Sequence, residues 1–311
     1  MEILLSFVLL VVGFVLLIKG ADWFVEGAAG IAARFGIPQL VIGLTIVAMG
    51  TSAPEAAVSI TSAIGGNAGI TVGNVVGSNI MNILVILGVT AVIIAVPVQK
   101  STVKIEIPFM IGITAVFLLL GAFDNELGRL DGVVMWALFI LYLMYLLRMA
   151  LKNKESVEEA EEQKPLWLQL LMLVGGAAII VGGSNLTVDS ATDIAKFFGV
   201  SDRFIGLTVI ALGTSLPELV TSVIAARKGN ADIAIGNIVG SNIFNILFVA
   251  GTTALITPVV FQPAFMVDTI IAIAAAIILF VCVLPKKKLT RFGGVVMLVG
   301  YVGYFIYLLI K

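Results

Sequence analysis

Apolar runs long enough to cross a bilayer, each broken from the next by glycine, proline or charge, recur along almost the whole chain. A run of about 20 residues spans the hydrocarbon as a helix, because only a helix or a closed barrel satisfies its own backbone polar groups away from water. The runs predict ten helices, over residues 3–32, 39–64, 70–95, 104–122, 130–150, 166–195, 203–226, 233–256, 265–284 and 292–310. Composition agrees. Of 311 residues, 60% are hydrophobic and 12% charged, which excludes a soluble globular domain or a disordered chain. The expected fold class is an all-α membrane protein. The first run follows Glu2 rather than a basic stretch and lacks a small-residue cleavage site, so it reads as a retained helix.

Charge is segregated along the sequence. Alternate connections hold thirteen Lys and Arg, beginning with Arg34 and ending with the basic cluster at 286–291, whereas the opposite side holds Arg129, Lys196, Arg203 and Lys311. Excess positive charge stays on the cytoplasmic side, so both termini are expected to be extracellular. Residues 152–165 form the one sustained hydrophilic stretch, a cytoplasmic linker between a first unit, 1–151, and a second, 166–311. Its five glutamates lack the fixed cage that selective calcium binding needs. Histidine is absent and Cys282 is the single cysteine, so disulfide frameworks and Ser-His-Asp or Cys-His catalysis are excluded, and transition metals lack their usual ligands. A metal handled by this chain must accept hard oxygen donors.

An internal repeat organises the chain. Gly50-Thr51-Ser52-Ala53-Pro54-Glu55 recurs as Gly213-Thr214-Ser215-Leu216-Pro217-Glu218. Gly73-Asn74-Val75-Val76-Gly77-Ser78-Asn79-Ile80-Met81-Asn82 recurs as Gly236-Asn237-Ile238-Val239-Gly240-Ser241-Asn242-Ile243-Phe244-Asn245, at the same offset of 163 without a gap. Gly43-Leu44-Thr45 and Gly206-Leu207-Thr208 keep that offset. Five spans per copy is an odd number, so the second copy is expected to enter the membrane inverted, the plan of many secondary transporters.

Glu55 and Glu218 are the only ionisable groups within their mid-span segments. A carboxylate at that depth costs about 2.5 to 3.5 kcal/mol even on a lenient insertion scale, and two at matching positions point to function. Pro54 and Pro217 lack an N–H, which frees the carbonyls of Gly50 and Gly213 and loosens those of Thr51 and Thr214. Thr51 and Ser52, like Thr214 and Ser215, fall four and three residues before the acid and can share its helical face. Asn74, Ser78 and Asn82, with Asn237, Ser241 and Asn245, add neutral oxygens at i, i+4, i+8; interhelical hydrogen bonding is the competing reading, favoured for Asn74 and Asn237. Asn79 and Asn242 point away from that stripe and read as structural. Two carboxylates among carbonyls, hydroxyls and amides describe a cage that suits calcium better than magnesium. Emptying it leaves two charges in a low dielectric, so monovalent cations or protons must replace the divalent ion.

The paired G-T-S-x-P-E and G-N-x-V-G-S-N-I-x-N stretches resemble the two alpha repeats of the calcium/cation antiporter superfamily, specifically its sodium/calcium exchangers. The resemblance implies ten helices and no enzymatic activity. It implies calcium ligation by Glu55, Glu218 and the Thr51 and Thr214 carbonyls. It also implies sodium ligation by Ser52, Ser78, Ser215 and Ser241 with the Ala48 and Ala211 carbonyls, with Asn82 and Asn245 between them. Asn245 stands where potassium-dependent members carry Asp, and the helix-three motifs lack the acid typical of proton-coupled members, so sodium is the expected driving ion. A calcium/proton exchanger, a passive calcium channel and an intramembrane hydrolase built on Ser52 or Ser215 with Lys19 stay open as rivals. No cofactor is implied beyond transported calcium and sodium. The partners expected are those ions and the lipid bilayer, with no nucleic acid and no protein partner. Asp22, Glu26, Asn185 and Asp189 on helices one and six read as either an ion approach or helix anchors.

Overall fold

The computed structural model describes residues 2–66, 68–152, 164–199 and 211–310. Two long helices, α1 (Glu2–Phe35) and α7 (Leu166–Phe197), lie side by side. At about 1.5 Å per residue both exceed the roughly 30 Å hydrocarbon thickness and must tilt or protrude. Glycines on both faces let them approach. A Cβ on Gly176 would stand 2.6 Å from the Phe24 nitrogen, and one on Gly27 would stand 2.7 Å from the Gln169 carbonyl oxygen. The outward face of α1 carries Leu4, Val11 and Val15, exposed as suits a lipid-facing helix.

The remaining helices are α2 (Gln39–Thr51), α3 (Ala53–Ile64), α4 (Gly69–Ile93), α5 (Thr102–Asp124), α6 (Arg129–Lys152), α8 (Ala211–Thr214), α9 (Leu216–Arg227), α10 (Ala231–Ile256), α11 (Pro263–Val283) and α12 (Arg291–Ile310). Among the described residues, eight are long and apolar enough to cross a membrane, and the bent pair α2–α3 makes nine. The predicted span 203–226 is described only from Ala211 onward, and the second copy of the Gly-Leu-Thr motif, like most of the 152–165 linker, lies outside the described residues. The helix expected over 39–64 is not continuous. It bends by 50° at Ser52, whose ψ of 9° leaves the helical range just before Pro54. Ser215 breaks the second copy in the same way. The acids expected mid-helix therefore sit in the first turn of a half-helix.

Helices α4 and α10 occupy the centre; every residue from Ile233 to Phe244 is buried. Close backbone contact seats α2 on α10. Cβ atoms on Gly43 and Gly236 would come within 3.0 Å of Asp232 and Leu44 backbone atoms, so glycine is needed on both sides. The π-helical turns at Asn82–Leu87 and Asn245–Ala250 keep the 163 offset. Two short strand pairs were not foreseen: β1 (Val96–Pro97) pairs with β4 (Lys288–Leu289), and β2 (Glu126–Leu127) with β3 (Val259–Val260), all antiparallel. Each joins a link of the first unit to a link of the second, which satisfies backbone groups at the helix ends.

Candidate ion site at the two helix breaks

Both breaks meet against α4 and α10. Ser52 Oγ donates to Glu218 Oε1 over 2.9 Å, so a side chain of the first break holds the acid of the second. Glu55 and Glu218 are both buried and close enough for their charges to interact. Thr51 Oγ1 reaches Asn237 Oδ1 at 2.9 Å, and Ser241 Oγ donates to the Ala48 carbonyl at 3.3 Å. The motifs separated by 163 residues thus form one cluster.

The half-helix turns that bear the acids are clamped alike. Asn74 Nδ2 donates to the Glu55 carbonyl at 3.1 Å and to Ser59 Oγ at 2.8 Å. Asn237 Nδ2 donates to the Glu218 carbonyl at 3.4 Å and to Ser222 Oγ at 3.0 Å. Ser59 and Ser222 escaped the sequence reading, although they recur at the offset four residues after each acid. On α4 and α10, the amide nitrogens of Asn82 and Asn245 donate to Asn242 Oδ1 and Asn79 Oδ1 at 3.0 and 3.1 Å.

The oxygens left over are informative. Glu55 Oε2, Glu218 Oε2, Asn82 Oδ1, Asn245 Oδ1 and Ser215 Oγ are buried without hydrogen-bond partners. Four of the five are acceptors only in an ionised carboxylate or an amide, and leaving one buried acceptor unmet costs about 1 to 3 kcal/mol. Cations are the partners that such acceptors lack, and the donor set is hard oxygen throughout.

Ala48, Thr51 and Ser52 are buried, as are Ser78, Ser215 and Ser241, and Thr214 is half-buried at the second break. Ala211 opens the short helix α8. The carbonyl of Gly213, expected to be free, is capped by Ser184 Oγ of α7 at 2.8 Å. Position 21, one offset earlier, is alanine, so the first break has no such cap and the sequence hid it. Asp22 and Glu26 stand apart from the cluster: Lys228 Nζ lies 2.6 Å from Asp22 Oδ1 and 3.4 Å from Glu26 Oε2, and Lys164 Nζ lies 2.5 Å from Glu26 Oε1. Asn185 and Asp189 are exposed. A further buried acid, Glu106 on α5, accepts a hydrogen bond from Tyr145 of α6. Its place near the end of a predicted span gave no sign of burial.

Residues 5–148 and 168–310 match the family described as sodium/calcium exchanger protein. The chain belongs to that family. The inner membrane protein YrbG of Escherichia coli is 36% identical, covering 96% of this chain and 95% of its own. The sodium/calcium exchanger MaX1 of Methanosarcina acetivorans is 33% identical over 98% and 99%. The solved structure of the sodium-calcium exchanger NCX_Mj superposes with a TM-score of 0.85 at 31% identity, covering 98% of this chain and 99% of that one.

Proposed function

We propose that this exchanger-family protein is an integral membrane antiporter that moves calcium against sodium by alternating access. Its ion site is the cluster at the two breaks. The observation that carries this reading is the set of buried oxygens without donors around Glu55 and Glu218. In it, Glu55, Glu218 and the Thr51 and Thr214 carbonyls hold calcium. Sodium uses Ser52, Ser78, Ser215, Ser241 and the Ala48 and Ala211 carbonyls, with Asn82 and Asn245 between the two sets.

Exchange follows from electrostatics. A divalent ion offsets two carboxylates in a low-dielectric site, and its departure leaves charges that must find other counter-ions before the protein can change shape. We read the chain as ten spans, with unit 166–311 inverted relative to unit 1–151, the 152–165 linker cytoplasmic and both termini outside. Unequal contacts at the two breaks support alternation: Ser52 engages Glu218, whereas its counterpart Ser215 keeps a buried Oγ without a partner. In the opposite state Ser215 would engage Glu55. The long pair α1–α7, packed through glycine and linked to the rest chiefly along one side, is the unit suited to slide.

The test is calcium uptake into sodium-loaded vesicles containing the purified protein, with sodium, proton and potassium gradients imposed separately. Uptake driven by sodium and abolished by Glu55→Gln and by Glu218→Gln is expected. Flux that needs no counter-ion, or that survives both substitutions, refutes the proposal.

A further inference from the structure

We infer that Asn79 and Asn242 are positioning residues that fix which end of the Asn245 and Asn82 amides faces the cation site. The inference rests on the proposed reading of Asn82 and Asn245 as ion ligands. The two ends of a carboxamide are nearly the same size, but only Oδ1 attracts a cation, and the NH2 end repels it. A ligand amide that could turn over would spend part of its time opposing the ion.

The structure removes that freedom by a chain of hydrogen bonds anchored on backbone. Asn79 Nδ2 donates to the Asn242 main-chain carbonyl at 3.1 Å. A carbonyl can only accept, so Asn79 must keep its nitrogen there and turn its Oδ1 to Asn245. Asn245 answers with Nδ2 at 3.1 Å, which leaves its own Oδ1 buried without a donor. The reciprocal chain runs the other way. Asn242 Nδ2 donates to the Asn79 carbonyl at 3.3 Å, Asn242 Oδ1 accepts from Asn82 Nδ2 at 3.0 Å, and Asn82 Oδ1 is left over. Were Asn245 turned over, its oxygen would face that of Asn79 and its NH2 group would face the site.

Local backbone explains why the anchoring carbonyls can take a side-chain donor. Both lie at the junction where an α-helix gives way to a π-helical segment, beginning at Asn82 and at Asn245. There each carbonyl also takes a backbone N–H, that of Asn82 on Asn79 and that of Asn245 on Asn242, and the two lone pairs of a carbonyl oxygen accept both donors. The chains also cross between units, so each ligand is oriented by the other unit's helix. All four residues are buried, which shields the relay from competing water.

The experiment titrates calcium, and separately sodium, into the purified full chain by calorimetry, with unfolding temperature measured in parallel. Asn79→Ala should weaken binding about 10- to 100-fold, as loss of a group that orients a ligand does. Asn245→Asp offers oxygen at both ends and has no orientation to fix. In that background Asn79→Ala should change affinity by less than about twofold, since the coupling partner is gone. A residue that merely supports folding would lower affinity and unfolding temperature alike in both backgrounds, and that result overturns the inference, as does wild-type affinity in Asn79→Ala. Should Asn79→Ala fail to fold, Asn242→Ala with and without Asn82→Asp makes the same comparison from the other side. Unchanged binding in Asn245→Ala would overturn the ligand reading and this inference together, whereas weakened binding there beside intact binding in Asn79→Ala overturns the inference alone.

Discussion

Replacing Gly240 by alanine tests whether the first half-helix must rest on α10 for the ion cluster to exist. A Cβ there would stand 2.8 Å from the Leu44 Cα, the Leu44 carbonyl oxygen and the Ala48 Cβ. Ordinary carbon contacts lie at about 3.5 to 4.0 Å, so α2 must retreat by roughly 0.7 to 1.2 Å. Two of the three obstacles are backbone, and no rotamer change relieves them. A shift of that size lengthens the Ser241 bond to the Ala48 carbonyl, already 3.3 Å, past any useful distance, and loosens Thr51 from Asn237. Overpacking of this kind costs about 1 to 3 kcal/mol. Borne by the ion-bound geometry, that cost weakens cation affinity by about fivefold to 150-fold. The assay is calcium and sodium titration of the purified variant together with thermal unfolding. Gly300→Ala serves as the control, because its Cβ meets only Leu84 side-chain atoms at 3.8 and 3.9 Å and should leave affinity unchanged. Wild-type affinity in Gly240→Ala would refute the claim that this contact sets the site.

Gly176→Ala should act on motion rather than on binding: its Cβ would stand 2.6 Å from the Phe24 nitrogen in the α1–α7 seam, away from the cluster. Transport is expected to slow markedly while equilibrium calcium binding holds, which vesicle uptake and calorimetry read separately. Tyr145→Phe leaves Glu106 Oε1 buried without its donor, so unfolding should become easier by about 1 to 3 kcal/mol, measured by denaturation in detergent. Calcium added to sodium-free protein should raise Tm, with about 2.7 kcal/mol of stabilisation at a hundred times Kd. Chelation should reverse the rise, and the Glu55→Gln/Glu218→Gln variant should show none.

The chain's own order of residues fixed its membrane character, the placement of most spans, the duplication at an offset of 163 and the identity of the acid-bearing segments. These are local or periodic properties: hydropathy over a helix length, a proline four residues after a glycine, a motif printed twice. What depended on residues far apart was decided by packing alone. The pairing of Ser52 with Glu218, the cap that Ser184 places on Gly213 and the strand pairs between loops join positions 29 to 193 residues apart, and no local pattern encodes which partner is met. The burial of Glu106 belongs to the same class, because the Tyr145 hydroxyl that meets it comes from the next helix, 39 residues on. Asn79 and Asn242 show the division most sharply. Their angle on the helix sets them apart from the stripe of Ser78 and Asn82 and of Ser241 and Asn245, but their bonds to the opposite unit's amides exist only once α4 and α10 cross, because a side chain's hydrogen-bond partner is set by three-dimensional proximity and not by position along the chain.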